Sequence, residues 1–400
     1  MKRLALSLLK KAKRTGHWLE AKLLTPGYLS ELFEPIIGYY DNDLMRVKKG
    51  RVLICYLTEP FRLEPKSPQI YEHQNMQRAI EIARVFNRMG YVADIVSCFD
   101  GVFIPNYKYH VLFGVEHCFE RMALVLGKTA TKIYLATGPY PPSRHASEQK
   151  RRDAIKKRRG TELMLRFPGW NAPDPSLVDA VVAIGNSWVV STYKPFYKSV
   201  YATGDGGFDF LHSTIEQKDF VSARQNFMWM ASWLSVVKGL DLVLEVFSQL
   251  PELNLFVCGP IWNEKDFLEE YERELFHTPN IHVMGKQKLN SFEFAELTKK
   301  VGFTIFPTAG DAAAGSVWAP MRCGVIPIVS IENGMDTRKF GVTLKDCSMD
   351  EIRTAVLEAS VMSPEQCRDM AYRACNIACR EYTLEAWSRR FETVLRNILS

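Results

Sequence analysis

The chain has 400 residues, 47% hydrophobic and 24% charged, with a formal net charge of +6. That length accommodates two α/β domains, and that balance belongs to a chain that folds rather than one that stays disordered. The positive surplus is too small for a dedicated nucleic-acid-binding protein, and no run of about 20 apolar residues is present to span a bilayer as a helix.

The first residues, MKRLALSLLKKAKR, set a short apolar patch between basic ends. The patch is short for a signal peptide and no A-x-A-like site follows it, so a cytoplasmic location is expected. Leu4, Leu8 and Ala12 share one stripe of a basic amphipathic helix, which points to a peripheral contact with an anionic membrane surface. Residues 1–48 are read as a basic helical extension.

Short apolar runs then alternate with amphipathic stretches, the pattern of parallel sheets covered by helices. The first set of strands is expected at 51–58, 91–98, 109–115, 132–138, 180–185 and 198–203. The helix after the first strand starts near His73. Met76, Ile80 and Ala83 face inward on it, and Arg78, Glu81 and Arg84 face outward. The run KRRDAIKKRRG (150–160) carries seven basic residues and one acid. It reads as a solvated helix face or as a second contact for anionic lipid.

The stretch TGDGGFDFLHSTIEQKDF (203–220) is rich in Gly and Asp, has no clear period, and reads as the hinge. It divides a first Rossmann-like domain (49–210) from a linker (211–225) and a second Rossmann-like domain (226–380). The second set of strands is expected at 226–232, 254–260, 281–286, 303–308 and 325–330. Leu240, Val243, Leu244 and Phe247 mark a helix after the first of these. The last segment, 381–400, is a helix with Leu384, Trp387, Phe391, Leu395 and Ile398 on its apolar side, expected to dock on structure already formed. The nine cysteines, including Cys375 and Cys379 four apart, read as free thiols. His117 beside Cys118 is an isolated pair, and the eight histidines show no metal-ligand spacing.

Chemistry concentrates in GDAAAGSVWAPMRCGVIPIVS (310–330). Gly310, Ala312, Ala313, Ala314 and Gly315 let backbone amides approach a ligand closely, and Ser316 is placed to cap the helix that follows. With the amide of Val317, this turn suits a diphosphate. Asp311 is the acid at its front. Lys238 sits where a helix opens, a poor place for a cation unless a phosphate shares the site. Gly259 with Pro260, and Gly285 with Lys286, close the next two strands. In an open parallel sheet all these ends line one edge, where ligands bind.

From Asn226 onward the chain resembles the donor domain of the retaining glycosyltransferases with the GT-B fold, the glycogen synthase-like, group 1 superfamily, in a divergent bacterial-type branch. KGLDLVLEVFSQLPELNLFVCGP is similar to that family's helix after the donor lysine and the strand beyond. MRCGVIPIVS is similar to its helix end and next strand, and YTLEAWSRRFETVL to its last helix, which crosses back to the first domain. Residues 50–203 match in pattern only. The resemblance implies two Rossmann-like domains facing across a cleft. It implies transfer of a sugar from a nucleotide-sugar donor to a glycan, lipid-linked or small-molecule acceptor, with retention, and without metal or cofactor. Lys238 and Asp311 fall on the family's donor lysine and first acidic position. Its second acidic position holds Ala319, and the arginine it commonly carries just before the lysine is missing from Ser232, Trp233 and Leu234. Thr137, Gly138, His145 and His73 are the acceptor-side candidates. The alternative is a non-catalytic GT-B subunit that binds a nucleotide or glycan; no nucleic-acid partner is expected.

Overall fold

The computed structural model describes residues 34–400 apart from 45, 46, 66, 72, 167–170, 210, 212 and 338. The basic N-terminal stretch therefore lies outside the described residues.

The first sheet contains β1 (Ile36–Tyr39), β2 (Gly50–Tyr56), β3 (Tyr91–Ser97), β4 (Val111–Gly114), β5 (Thr131–Ala136), β6 (Ala180–Ile184) and β7 (Val200–Gly204). Their spatial order is β1-β3-β2-β4-β5-β6-β7. All neighbours are parallel except β1, which pairs antiparallel with β3 and brings Ile36 opposite Ile95. This strand corrects the expected helical extension to residue 48. The second sheet, wholly parallel, contains β8 (Asn226–Met230), β9 (Asn254–Cys258), β10 (Ile281–Gly285), β11 (Phe303–Phe306), β12 (Ile326–Ser330) and β13 (Val342–Leu344), in the order β10-β9-β8-β11-β12-β13. Strands β2, β4, β8 and β11 are buried almost throughout, which is why each reads as an unbroken apolar run.

Seven helices matter below: α1 (Gln74–Arg88), α2 (Glu116–Leu126), α3 (Pro141–Arg159), α4 (Ser187–Tyr193), α5 (Leu240–Phe247), α6 (Gly315–Met321) and α7 (Leu384–Leu399). Helix α1 is capped by His73, whose ring nitrogen accepts from the Asn75 amide at 3.1 Å. Its buried face is wider than the sequence period suggests. Arg78, expected outside, is buried and ion-paired to Asp205, with a further bond to Asn75 Oδ1 at 2.8 Å. Arg84 is exposed as expected.

The chain passes from the first sheet to the second near Gly204–Gly207 and returns near Tyr382–Leu384. The two crossings touch, since the Gly207 amide donates to Tyr382 O at 3.1 Å. Helix α7 then lays Trp387, Phe391 and Leu395, all fully buried, into the first domain's core, with Phe391 edge-on to Phe113 at 5.5 Å.

The basic run falls on α3; Lys150, Lys156 and Lys157 are exposed, but its arginines do not form a solvated face. Arg158 pairs with Asp241 and Glu245, each at 3.1 Å. Arg159 pairs with Glu270 and, at 2.9 Å, with Glu274. Arg151 donates to Pro307 O at 2.6 Å. Just beyond the helix, Arg166 pairs with Glu264 at 3.1 Å and with Asp266. Ile155 and Leu163 join the second domain's core. A helix connecting two strands of the first sheet is therefore fastened along its length to the second domain.

Replacing Arg78 with Ala strands Asp205 without its cation in a buried site, which costs about 3–5 kcal/mol. The urea midpoint is expected to fall sharply for Arg78→Ala. It should move within about 0.5 kcal/mol for the exposed Arg84→Ala.

Candidate active site

Both sheets reverse their strand order once near the middle, between β2 and β4 in the first and between β8 and β11 in the second. Crevices beyond the carboxyl ends of strands at such points are where open α/β sheets bind ligands. In the second sheet, Lys238 comes from the turn after β8 and Asp311 from the turn after β11. Their side chains meet at 3.2 Å between Lys238 Nζ and Asp311 Oδ2.

The two turns are tied to each other. Thr308 Oγ1 donates to Val237 O at 3.1 Å, and the Ala309 amide donates to the same carbonyl at 2.7 Å. Glu264, held by Arg166, accepts from the Ser235 amide at 2.9 Å and fixes the start of the Lys238 turn. Lys238 precedes α5 by two residues instead of opening it. Gly239 takes φ +74° between them, because a Cβ there would lie 2.4 Å from Pro307 O. The partner of Lys238 in this structure is Asp311, with the Phe306 ring 5.6 Å below the ammonium.

Burial alone would raise the Asp311 carboxyl. The Lys238 ammonium and, from the first domain, the Arg144 guanidinium outweigh it and hold the group below the usual carboxylate range. Burial in turn lowers Arg144. Arg144 is the cation that sequence reasoning missed, since nothing in α3 marks it as a neighbour of the 309–316 turn.

The turn itself differs from expectation in its hydrogen bonding. The Asp311 amide donates to Glu332 O at 2.9 Å, Ala312 to Asp311 Oδ1 at 2.8 Å, Ala313 to Asn333 O at 2.6 Å and Val317 to Ala314 O at 2.9 Å. Gly310 donates to Thr308 Oγ1 at 3.2 Å and packs on Pro139. Those amides are occupied, and the Val317 side chain belongs to the core. Ala313 adopts φ +53° and turns the chain early, so α6 begins at Gly315 with Ala314 as its cap. Ser316 is thus in the first turn instead of capping. Its hydroxyl is buried with no hydrogen-bond partner. Among the described residues, the amides of Ala314, Gly315 and Ser316 donate to no protein group. Gln74 of α1 crowds Gly315, where a Cβ would lie 2.1 Å from Gln74 Oε1.

Gly259 and Gly285 are joined by a bond from the Gly259 amide to Gly285 O at 2.9 Å, with Pro260 beyond and Lys286 exposed. They lie on the same sheet edge as Lys238 and Asp311. From β10 to β11 is three strand spacings, about 14 Å. Only an extended ligand reaches both. Across the cleft, burial and then the charges of Arg78, Lys238 and Lys286 lower His73 to about 4. It faces the site as a neutral imidazole. Thr137, Gly138 and His145 line a separate recess, adjoining Asp311 through Arg144.

No family model matches this chain, and no curated protein matches it. Solved structures do. Sucrose-phosphate synthase from Thermosynechococcus elongatus superposes with a TM-score of 0.62 at 10% identity, over 88% of this chain and 99% of that one. The α,α-trehalose 6-phosphate synthase of Burkholderia multivorans gives 0.58 at 10% identity, over 88% and 99%. Anabaena HepE, solved with UDP and glucose, gives 0.55 at 11% identity, over 86% and 99%. The fold is the GT-B fold of glycosyltransferases. The crossing helix α7 and the two facing parallel sheets are as expected for that fold.

Ala319, expected where a second acidic residue would fall, is fully buried in the second core. Ala319→Glu therefore forces a carboxylate among apolar side chains, where a charge without a partner is not tolerated. A loss of more than about 3 kcal/mol is expected, read as a fall in the melting midpoint. Asp311 carries a pH signature. Its depressed pKa contributes stability that is present above the unfolded value, about pH 4, and is lost as pH falls through the folded value. The stability gap between the native chain and Asp311→Asn is expected to be full at pH 7 and to close as pH falls below the usual carboxylate range.

Proposed function

We propose that the chain is a glycosyltransferase that moves a sugar from a nucleotide-sugar donor to a hydroxyl of a glycan, lipid-linked or small-molecule acceptor. The observation that carries this is the meeting of Lys238 and Asp311 at 3.2 Å beside the unused amides of Ala314, Gly315 and Ser316 and the unpartnered Ser316 hydroxyl. One cation, three amides and a hydroxyl make a receptor for the charge of a departing diphosphate. Asp311 holds Lys238 in place before the donor arrives and is set to contact the donor sugar. His73, kept neutral and accepting from the Asn75 amide at Nδ1, carries its proton on Nε2 at the opposite wall.

In the transfer, the bond from the sugar's anomeric carbon to the diphosphate oxygen breaks, and a bond from that carbon to the acceptor oxygen forms. The acceptor's proton passes to the departing diphosphate, on the face from which it leaves, and configuration is retained. The cations Lys238 and Arg144 and the free amides supply the electrostatics that a metal supplies elsewhere, and the reaction is metal-independent on this proposal. Unchanged turnover in EDTA is the expected result. Of the two basic stretches, the one on α3 has its arginines engaged within the protein. Attachment to an anionic membrane surface is thus assigned to the N-terminal stretch.

A second reading has one specific support. Ala319 offers no side-chain contact to a ribose, as a subunit that binds nucleotide without turning it over would allow.

Thermal shifts with UDP, GDP, ADP and TDP separate these outcomes. UDP is first because HepE of the same fold was solved with it. A diphosphate at 100 times its Kd stabilises by about 2.7 kcal/mol. The shift is expected to vanish in Lys238→Ala. With donor and acceptor supplied, Lys238→Ala should lower turnover by about 10²–10³-fold. No shift with any diphosphate would refute the donor site, and binding without transfer would favour the second reading.

A further inference from the structure

The helix before α7, Pro364–Glu381, ends at the return crossing and carries two cysteines in its last turns. Of the nine cysteines Cys379 alone is exposed, and Cys375, one turn earlier, is buried. Residues four apart on a helix share a face, with Cα atoms roughly 6 Å apart. A disulfide bridges that span.

Three parts of the chain meet at Cys375. Its sulfur lies 3.7 Å from Ser213 Oγ in the linker and donates to Arg322 O at 3.1 Å. Arg322 follows the last residue of α6, and its guanidinium donates to Ala378 O at 3.3 Å and to Asp209 O at 3.4 Å. The single hydrogen of Cys375 thus has two acceptors in reach, Arg322 O and the Cys379 sulfur. The Cys375 thiol, and after it the Arg322 charge, draw Cys379 down to about 6, against burial and Asp209. Cys379 is therefore largely thiolate at neutral pH, while Cys375 keeps its hydrogen. An exposed thiolate touching a buried thiol is the arrangement of a reactive and a resolving cysteine. Cys55 and Cys118, at 3.2 Å, form another close pair, but both are fully buried and offer an oxidant no exposed sulfur.

We propose that Cys379 and Cys375 form a peroxide-reactive site, in which the exposed sulfur is oxidised and its buried neighbour closes a reversible disulfide that loosens the junction of linker, α6 and return helix. The Cys379 sulfur attacks one peroxide oxygen. The S–O bond forms, the O–O bond breaks, and the departing hydroxide takes a proton and leaves as water. The Cys375 sulfur then attacks the Cys379 sulfur. The S–S bond forms, the S–O bond breaks, and the hydroxyl leaves as water with the Cys375 hydrogen. Two thiols are oxidised by two electrons, and the peroxide is reduced to two waters. The disulfide has no hydrogen to give Arg322 O. The loop it closes is one helical turn, the length at which a cross-link restrains the unfolded chain least. The oxidised chain is therefore expected to melt below the reduced one, the reverse of a structural disulfide. The site needs neither donor nor transfer and stands apart from the proposed activity.

The test exposes the full chain to a small excess of hydrogen peroxide, with and without dimedone, and follows the tryptic peptide 374–380, which holds both sulfurs. In the native chain the peptide is expected to lose two hydrogens and to regain them with dithiothreitol. Cys379→Ser should give neither that loss nor a dimedone adduct. Cys375→Ser should stop at the sulfenic acid and take up dimedone. The melting midpoint should fall on oxidation of the native chain, recover with dithiothreitol, and hold in Cys379→Ser. Should Cys375→Ser fail to fold, the comparison with Cys379→Ser, an exposed replacement, decides alone. If the native peptide keeps its hydrogens, if dimedone labels the native chain as fully as Cys375→Ser, or if the midpoint fails to fall on oxidation, the site is refuted.

Discussion

The two crossings of the chain between its sheets are held at a single point, and the cleft follows from that constraint. Gly206 lies so close to the returning chain that a Cβ would be 2.2 Å from Thr383 O. Arg390 of α7 donates to the carbonyls of Thr203 at 2.6 Å, and of Asp205 and Glu381 at 3.0 Å each, stitching the outgoing and returning segments together. Asp205 then takes Arg78 and, at 3.2 Å, Gln74 Nε2. The start of α1 is thereby pinned to the crossing, and with it His73 and Gln74, which face the 309–316 turn.

From that point the site is assembled by alternation of charge. Asp311 lies between a cation of its own domain, Lys238, and one from the other, Arg144. The Lys238 turn is steadied by Glu264, and Glu264 by Arg166, which again comes from the chain of the first sheet. Each domain thus supplies charges that complete the other's loops.

The sequence made the strands legible because most are buried on both faces, and a doubly buried strand is apolar at every position. β1 escaped, since a short, half-exposed edge strand carries no such run. The pairing of Lys238 with Asp311 was half visible: both residues were marked, but each was assigned to a ligand and not to the other. Arg78 was misplaced because periodicity counts a charge as outward, and its buried partner Asp205 is far along the chain. The basic run failed for the same reason, as Asp241, Glu245, Glu270 and Glu274 lie in another domain. Ser316 lies two residues inside the helix instead of at its cap because Ala313, with φ +53°, does what a glycine usually does.

Helix α3 has a consequence for how the molecule responds to its ligands. Its first turn carries Arg144 and His145 beside the recess, and its last turn is fastened to the helices of the second domain. It behaves as a beam built into both walls. Any rotation of one sheet against the other displaces the beam, and with it two of the groups lining the recess. Ligands bound on the two sides of the cleft would therefore be joined by a coupling free energy. That coupling is reciprocal by thermodynamic necessity: whatever factor one ligand imposes on the other's affinity is returned in full.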